Sequence, residues 1–263
     1  MPTPVWKPER RNRNIGTAAS GHGQSNRMRI PESRQDSSGN WSSYYERIRP
    51  DFVKDYRIGD DTIKILYEKP RDGFSSGCSP EDVVHLLSML PDDEHRFLDY
   101  VVFRQPTRKQ CQQHPVWGRL IYQADIGNLF GSAIFLEAQE LGSKMRWSHK
   151  LDIEDKAEFE RLNEDGHVFE KTKRHSISQL TETALRNTVL YRTLLHELGH
   201  WQHYENDVLA QEDMDLAADL YFAKPSVEKE QYAHGYAEKW AKTLRSKNLI
   251  PFAPRDFELP ASA

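Results

Sequence analysis

The 263-residue chain is short of cysteine, of apolar residues and of any charge imbalance. Its two cysteines, Cys78 and Cys111, lie far apart and neither belongs to a CxxC pair. That excludes a disulfide scaffold and points to two reduced thiols in a cytosolic protein. No apolar run approaches the roughly 18 residues of a membrane-spanning helix. The N-terminus lacks the apolar core of a secretory signal, and Pro2, Pro4, Pro8 and Glu9 argue against an amphipathic presequence. Cytoplasmic placement is therefore expected. Glycine and proline, 14 each, are too few for a fibrous or wholly disordered protein. Lys+Arg 36 against Asp+Glu 40 leaves a net charge of -4, so no overall basic field invites nucleic acid. The apolar share, 37%, is low enough that part of the chain is expected to stay unpacked.

That part is the N-terminus. Residues 1–40 hold seven basic and three acidic residues and almost nothing apolar, so they are expected to form a disordered basic arm. No aromatics alternate with the arginines, which makes a solvated tail a better reading than a nucleic-acid contact. From residue 41 to 248 the pattern is globular. Tyr56–Ile58 and Thr62–Tyr67 flank a Gly59-Asp60-Asp61 turn and predict a hairpin. Ser79-Pro80-Glu81-Asp82 predicts a helix start, with Ser79 as cap and Asp82 closing the box, and the helix is expected to reach Leu90 before Pro91. Further strands are expected at Phe97–Phe103, Leu120–Ala124 and Ala133–Ala138. Residues 139–176 are heavily charged and predict a long exposed insertion that holds a short helix, a Gly166 turn and an extended piece. A helical pattern follows from Leu180 to Leu198. Ser226 is the expected cap of a last helix carrying Tyr232, Ala233, Tyr236, Ala237 and Trp240, and 249–263 is expected to be a flexible tail.

Chemistry concentrates at His196-Glu197-Leu198-Gly199-His200, an HExxH motif inside that amphipathic helix. Residues four apart on a helix face the same way, so both imidazoles can hold one zinc ion at about 2.0–2.1 Å. Glu197 lies about 100° round the helix, where its carboxylate can reach a metal-bound water without ligating. From composition alone the motif is expected roughly 0.04 times in a chain like this. Gly199, a residue without Cβ, lets a neighbouring element approach closely.

Zinc needs a third protein ligand and, for catalysis, an open fourth position. His203 shares the face of His196, but it sits about 10 Å along the axis, too far for one straight helix to wrap the ion. The extended pattern HExxHxxGxxH is absent, because position 203 is His and position 206 is Asn. The better source is the last helix, where Glu230 heads an ExxAxxYA pattern with Ala233 and Ala237 on one face. Glu228 is the alternative, and the two cannot face the metal together. His234, Tyr236, Tyr204 and His203 are candidates for stabilising an oxyanion. Ala133–Ala138 is the last clear strand before the active-site helix and the candidate sheet edge for an extended peptide, so Ile134, Phe135 and Leu136 are expected to bind substrate.

HELGH followed by ExxA on a later helix resembles the gluzincin group of zinc metallopeptidases. In particular, residues 193–237 are similar to small soluble bacterial peptidases of the ImmA/IrrE type and to CAAX-prenyl peptidases. The resemblance implies a zincin-like α+β fold, with a small mixed sheet packed on the HExxH helix and on a C-terminal ligand helix. It implies His196, His200 and Glu230 as zinc ligands and Glu197 as general base. His234 stands where several of these families have Asp or Asn. The expected activity is hydrolysis of protein or peptide substrates by Glu-assisted attack of a zinc-bound water. The alternatives are a non-catalytic regulatory module on the same fold and a zinc hydrolase of a non-peptide amide.

Overall fold

Period-two alternation gives each central strand two apolar faces, and the computed structural model builds the protein on that. It describes residues 33–35, 41–43, 45–113 and 115–259. The main sheet takes β3 (Phe52–Ile58), β4 (Asp61–Tyr67), β6 (Tyr100–Arg104), β8 (Leu129–Glu137) and β7 (Gly118–Ile126), in the order β3-β4-β6-β8-β7. β4, β6 and β8 run parallel, and the outer strands β3 and β7 pair antiparallel to their neighbours, so the sheet is mixed. Ile63, Ile65, Val101, Phe103, Ile134 and Leu136 face the helices. Leu66, Val102, Ala133 and Phe135 face the other way, into a smaller cluster with Ile48. The β3–β4 hairpin turns where predicted, with Gly59 at φ 59°, a left-handed conformation that glycine takes without strain. β1 (Ser33–Gln35) and β2 (Trp41–Ser43) pair antiparallel at the end of the expected arm, whose other residues lie outside the described ones.

The first helix, α1 (Pro80–Leu87), has the predicted capping box: Ser79 Oγ accepts from Asp82 N–H, and Asp82 accepts from Ser79 N–H. It ends at Leu87, short of Pro91, yet Leu90 still packs in the core. α2 (Arg108–Gln113) joins β6 to β7. The pattern read as one helix from Leu180 to Leu198 is divided. α4 (Glu182–Thr188) passes through a π turn, Val189–Thr193, into α5 (Leu194–Tyr204), and a second π turn, Glu205–Leu209, follows. A π turn inserts one residue per turn and rotates everything beyond it, a phase change that apolar spacing does not reveal. α6 (Met214–Ala223) and α7 (Ser226–Ser246) complete the helical layer. Ser226 is the first residue of α7, not its cap; Pro225 holds the cap position without a side-chain bond.

One expectation is extended and one corrected. Residues 139–176 are mostly exposed and hold the expected helix, turn and extended piece, with more strand than expected. After β9 (Gln139–Glu140), which pairs with β5 (Phe74–Ser75), come β10 (Lys144–Ser148), α3 (Ile153–Glu164), β11 (Phe169–Lys171) and β12 (His175–Gln179), and β10-β12-β11 form a second sheet. Phe159 packs between Trp147 and Phe169, at ring separations of 5.8 and 4.4 Å, and Leu162 is buried. Three aromatics suffice where apolar residues are few, because each buries a large area. The C-terminal segment is likewise held down as far as residue 259. Ile250 is buried, Phe252 packs on His85 and Tyr191, Phe257 packs on Phe52 and Tyr67, and Arg255 N–H donates to Asp82 Oδ1 at 3.0 Å. Among the described residues no helix is long and apolar enough to cross a membrane.

Candidate metal centre

α5 carries the motif and is fixed on every side. Leu194, Leu195 and Leu198 are buried against the sheet. At its far end the Trp201 indole N–H donates to Arg96 O and the Gln202 amide to Asp93 O, both at 2.9 Å. Gly199 faces α7, where a Cβ would stand 2.9 Å from Ala233 Cα and 3.0 Å from Tyr236 Cβ. The two helices therefore cross at backbone contact, and Gly199 and Ala233 are the residues that allow it.

That crossing brings Glu230 to the two histidines. His196 Nε2 and His200 Nε2 lie 3.1 Å apart. Glu230 Oε2 is 3.3 Å from the first and Glu230 Oε1 is 3.5 Å from the second. Donors about 2.0–2.2 Å from a tetrahedral ion stand about 3.3 Å from one another, so the three spacings are those of a ligand set. The donor chemistry, two imidazoles and a carboxylate, suits zinc. His196 Nδ1 is buried without a partner among the described residues, so binding at Nε2 would be what fixes its tautomer. The facing imidazoles hold the Glu230 carboxyl well below the usual carboxylate range. A second set shares two members, since donor atoms of His196, Glu230 and His234 all lie within 4.8 Å of one another. The tighter spacings favour the first set as the primary one.

Glu197 is buried, with Oε2 accepting from Leu120 N–H at 2.8 Å. Burial raises its carboxyl above the ordinary value, against the pull of His196, His200 and that amide. His234 is half-buried, and burial together with the positive field of His196 pushes it down to about 4. His196, Glu197, Glu230 and His234 share the wall of a cleft of about 800 Å³ with Trp117 and Trp147.

Other candidates stand elsewhere. Glu228 pairs with Lys224 at 3.2 Å. His203 is buried, 3.1 Å from Asp207 and stacked on Tyr232. Tyr204 packs on Tyr122, and Tyr236 lies under the helix crossing, where burial and Glu94 raise its hydroxyl. Of the four oxyanion candidates, His234 alone lines the cleft. Ile134, Phe135 and Leu136 do not stand on the expected sheet edge: β8 lies between β6 and β7, and all three side chains are fully buried. The edge beside α5 is β7, and Leu120 on it reaches Glu197 directly. Position in sequence misled here, because β8 folds back inside β7.

The sequence reading also missed Arg192. It sits one turn before His196 and ties the 139–176 segment to the helix that bears the motif. Its Nε donates to Asp165 Oδ2 at 2.6 Å and its Nη1 to Glu158 Oε1 at 3.0 Å. Thr188 Oγ1 donates to the same Asp165 oxygen and accepts from His167 Nε2 at 2.8 Å. The i−4 spacing from His196 was the available signal. No family model matches the chain, and neither a curated protein nor a solved structure matches it.

Proposed function

We propose that the protein is a zinc-dependent metallopeptidase on a zincin-like fold, of the gluzincin kind, acting on peptide or protein substrates in the cytoplasm. The observation that carries the reading is the convergence of His196, His200 and Glu230 from two helices at spacings of 3.1–3.5 Å, with Glu197 buried beside them. His196 Nε2, His200 Nε2 and the Glu230 carboxylate would hold the ion. Zinc, when bound, would polarise the scissile carbonyl and lower the pKa of water towards about 7. Glu197 takes the proton of the attacking water and returns it to the leaving amine nitrogen. A buried carboxylate with a raised pKa is suited to both transfers. Leu120 N–H steadies Oε2, which leaves Oε1 for the water. The edge strand β7 offers main-chain groups to an extended substrate, and Trp117 and Trp147 give the cleft apolar walls.

The test is hydrolysis of a peptide library by the zinc-loaded protein and by Glu197→Gln. The account expects cleavage that chelator abolishes, and a loss of about 10²–10⁴-fold in the variant with metal still bound. Cleavage unchanged in the variant would reject Glu197 as the base.

A further inference from the structure

The metal reading above accounts for three donors and leaves His234 unexplained. Helix geometry gives it a place. His196 and His200 are an i,i+4 pair on α5, and Glu230 and His234 are an i,i+4 pair on α7. Gly199 lies between the first two and Ala233 between the second two, and these are the residues in backbone contact at the crossing. Each helix therefore carries its two candidate donors on one face near the crossing. His196 and His234 stand with ring centroids 4.4 Å apart and planes tilted by 46°. The donor atoms of His196, Glu230 and His234 are all within 4.8 Å of one another. The His234 ring already lies against that of His196, so a side-chain adjustment would turn its nitrogen towards the same ion. The ring borders the cleft of about 800 Å³.

We propose that His234 is a displaceable fourth protein ligand. With its ring turned in, His196, His200, Glu230 and His234 close a four-donor cage. With its ring turned out, the fourth position opens to substrate. Closed four-donor sites are the structural kind of zinc site and three-donor sites the catalytic kind. The side chain of His234 thus sets which kind this is, and substrate opens the site by displacing it. The inference rests on the metal reading, and the experiment separates the two.

The full chain, labelled with ¹⁵N and loaded with ¹¹³Cd, is examined by long-range ¹H–¹⁵N spectroscopy of its histidines. Three imidazole nitrogens coupled to cadmium are expected, assigned to His196, His200 and His234 by single substitution. Two coupled imidazoles overturn the inference and leave the metal reading standing. Coupling to none removes the metal reading and the inference with it. Acetohydroxamate binding to the cobalt-loaded protein gives a second readout. His234→Ala should bind it at least tenfold more tightly than the unmodified chain, because nothing has to be displaced. Equal binding overturns displacement. If the variant does not fold, the cadmium spectrum of the unmodified protein decides alone.

Discussion

At the scale of single residues, the account turns on Gly199 as much as on the ligands. Glu230 reaches the histidines only because α5 and α7 cross with nothing between Gly199 and Ala233. Gly199→Ala would place a methyl group against backbone that cannot swing aside. Overpacking of this kind costs about 1–3 kcal/mol, of which the better helix propensity of alanine returns at most about 1. The variant should be less stable in urea and should bind zinc more weakly, since the helices must part. Equal stability with unchanged zinc affinity would show that the crossing does not set the site. The HExxH motif was legible because its proposed chemistry is local: two candidate ligands and a candidate base on one helix need only the 3.6-residue repeat. Glu230 was legible through the small residues that follow it. Leu120 was not, since a main-chain N–H leaves no mark in sequence.

At the scale of elements, the least legible piece was the charged segment 139–176. Its side chains read as solvated, yet several of the charges work in pairs. Arg192 holds Asp165 and Glu158, and Asp165 is almost fully buried. Removing a partner from a buried pair leaves an uncompensated charge, which costs about 3–5 kcal/mol. Glu158 is partly exposed, so the lower end of that range applies to Arg192→Met. Amide exchange should accelerate across β10, α3, β11 and β12 and change little in the β3-β4-β6-β8-β7 sheet. Uniform exchange throughout the molecule would mean that the strap is not what holds the segment. The edge strand was misread for a comparable reason. Strand existence follows from alternation, whereas strand order depends on pairing far along the chain, and β8 enters the sheet inside β7. The C-terminal segment had no periodicity to read, because Ile250, Phe252 and Phe257 anchor it singly.

At the scale of the whole molecule, burial of titratable groups makes stability depend on pH. His95 is fully buried with no hydrogen-bond partner among the described residues and 3.9 Å from Asp61, and its pKa is lowered by burial. His167 is buried and lowered in the same way. A histidine with a depressed folded pKa is neutral in both states above its unfolded value of about 6.5. Below that value the unfolded chain takes up the proton first, so stability falls as pH falls. The slope approaches about 1.4 kcal/mol per pH unit for each such group. Glu197, with its raised pKa, acts in the opposite sense, since the folded state binds its proton first. Comparing urea midpoints between pH 7.5 and 5.5 for the wild type and for His95→Leu isolates one group. The variant should lose less stability on acidification than the parent. Parallel losses would contradict the assignment of this dependence to His95.

Several strands and the helix that bears the motif followed from periodicity and capping signals, the α+β fold with a mixed sheet was what the resemblance implied, and the way the pieces close on one another was not legible. Closure is where function is proposed to arise, because the ligand set comes from two helices separated by the whole of α6. The most direct measurement is anomalous diffraction at the zinc edge from crystals of the zinc-equilibrated protein. The account predicts one strong peak about 2.0–2.2 Å from His196 Nε2, His200 Nε2 and the Glu230 carboxylate. A map with no peak between α5 and α7, or with zinc bound away from His196, His200 and Glu230, would contradict it.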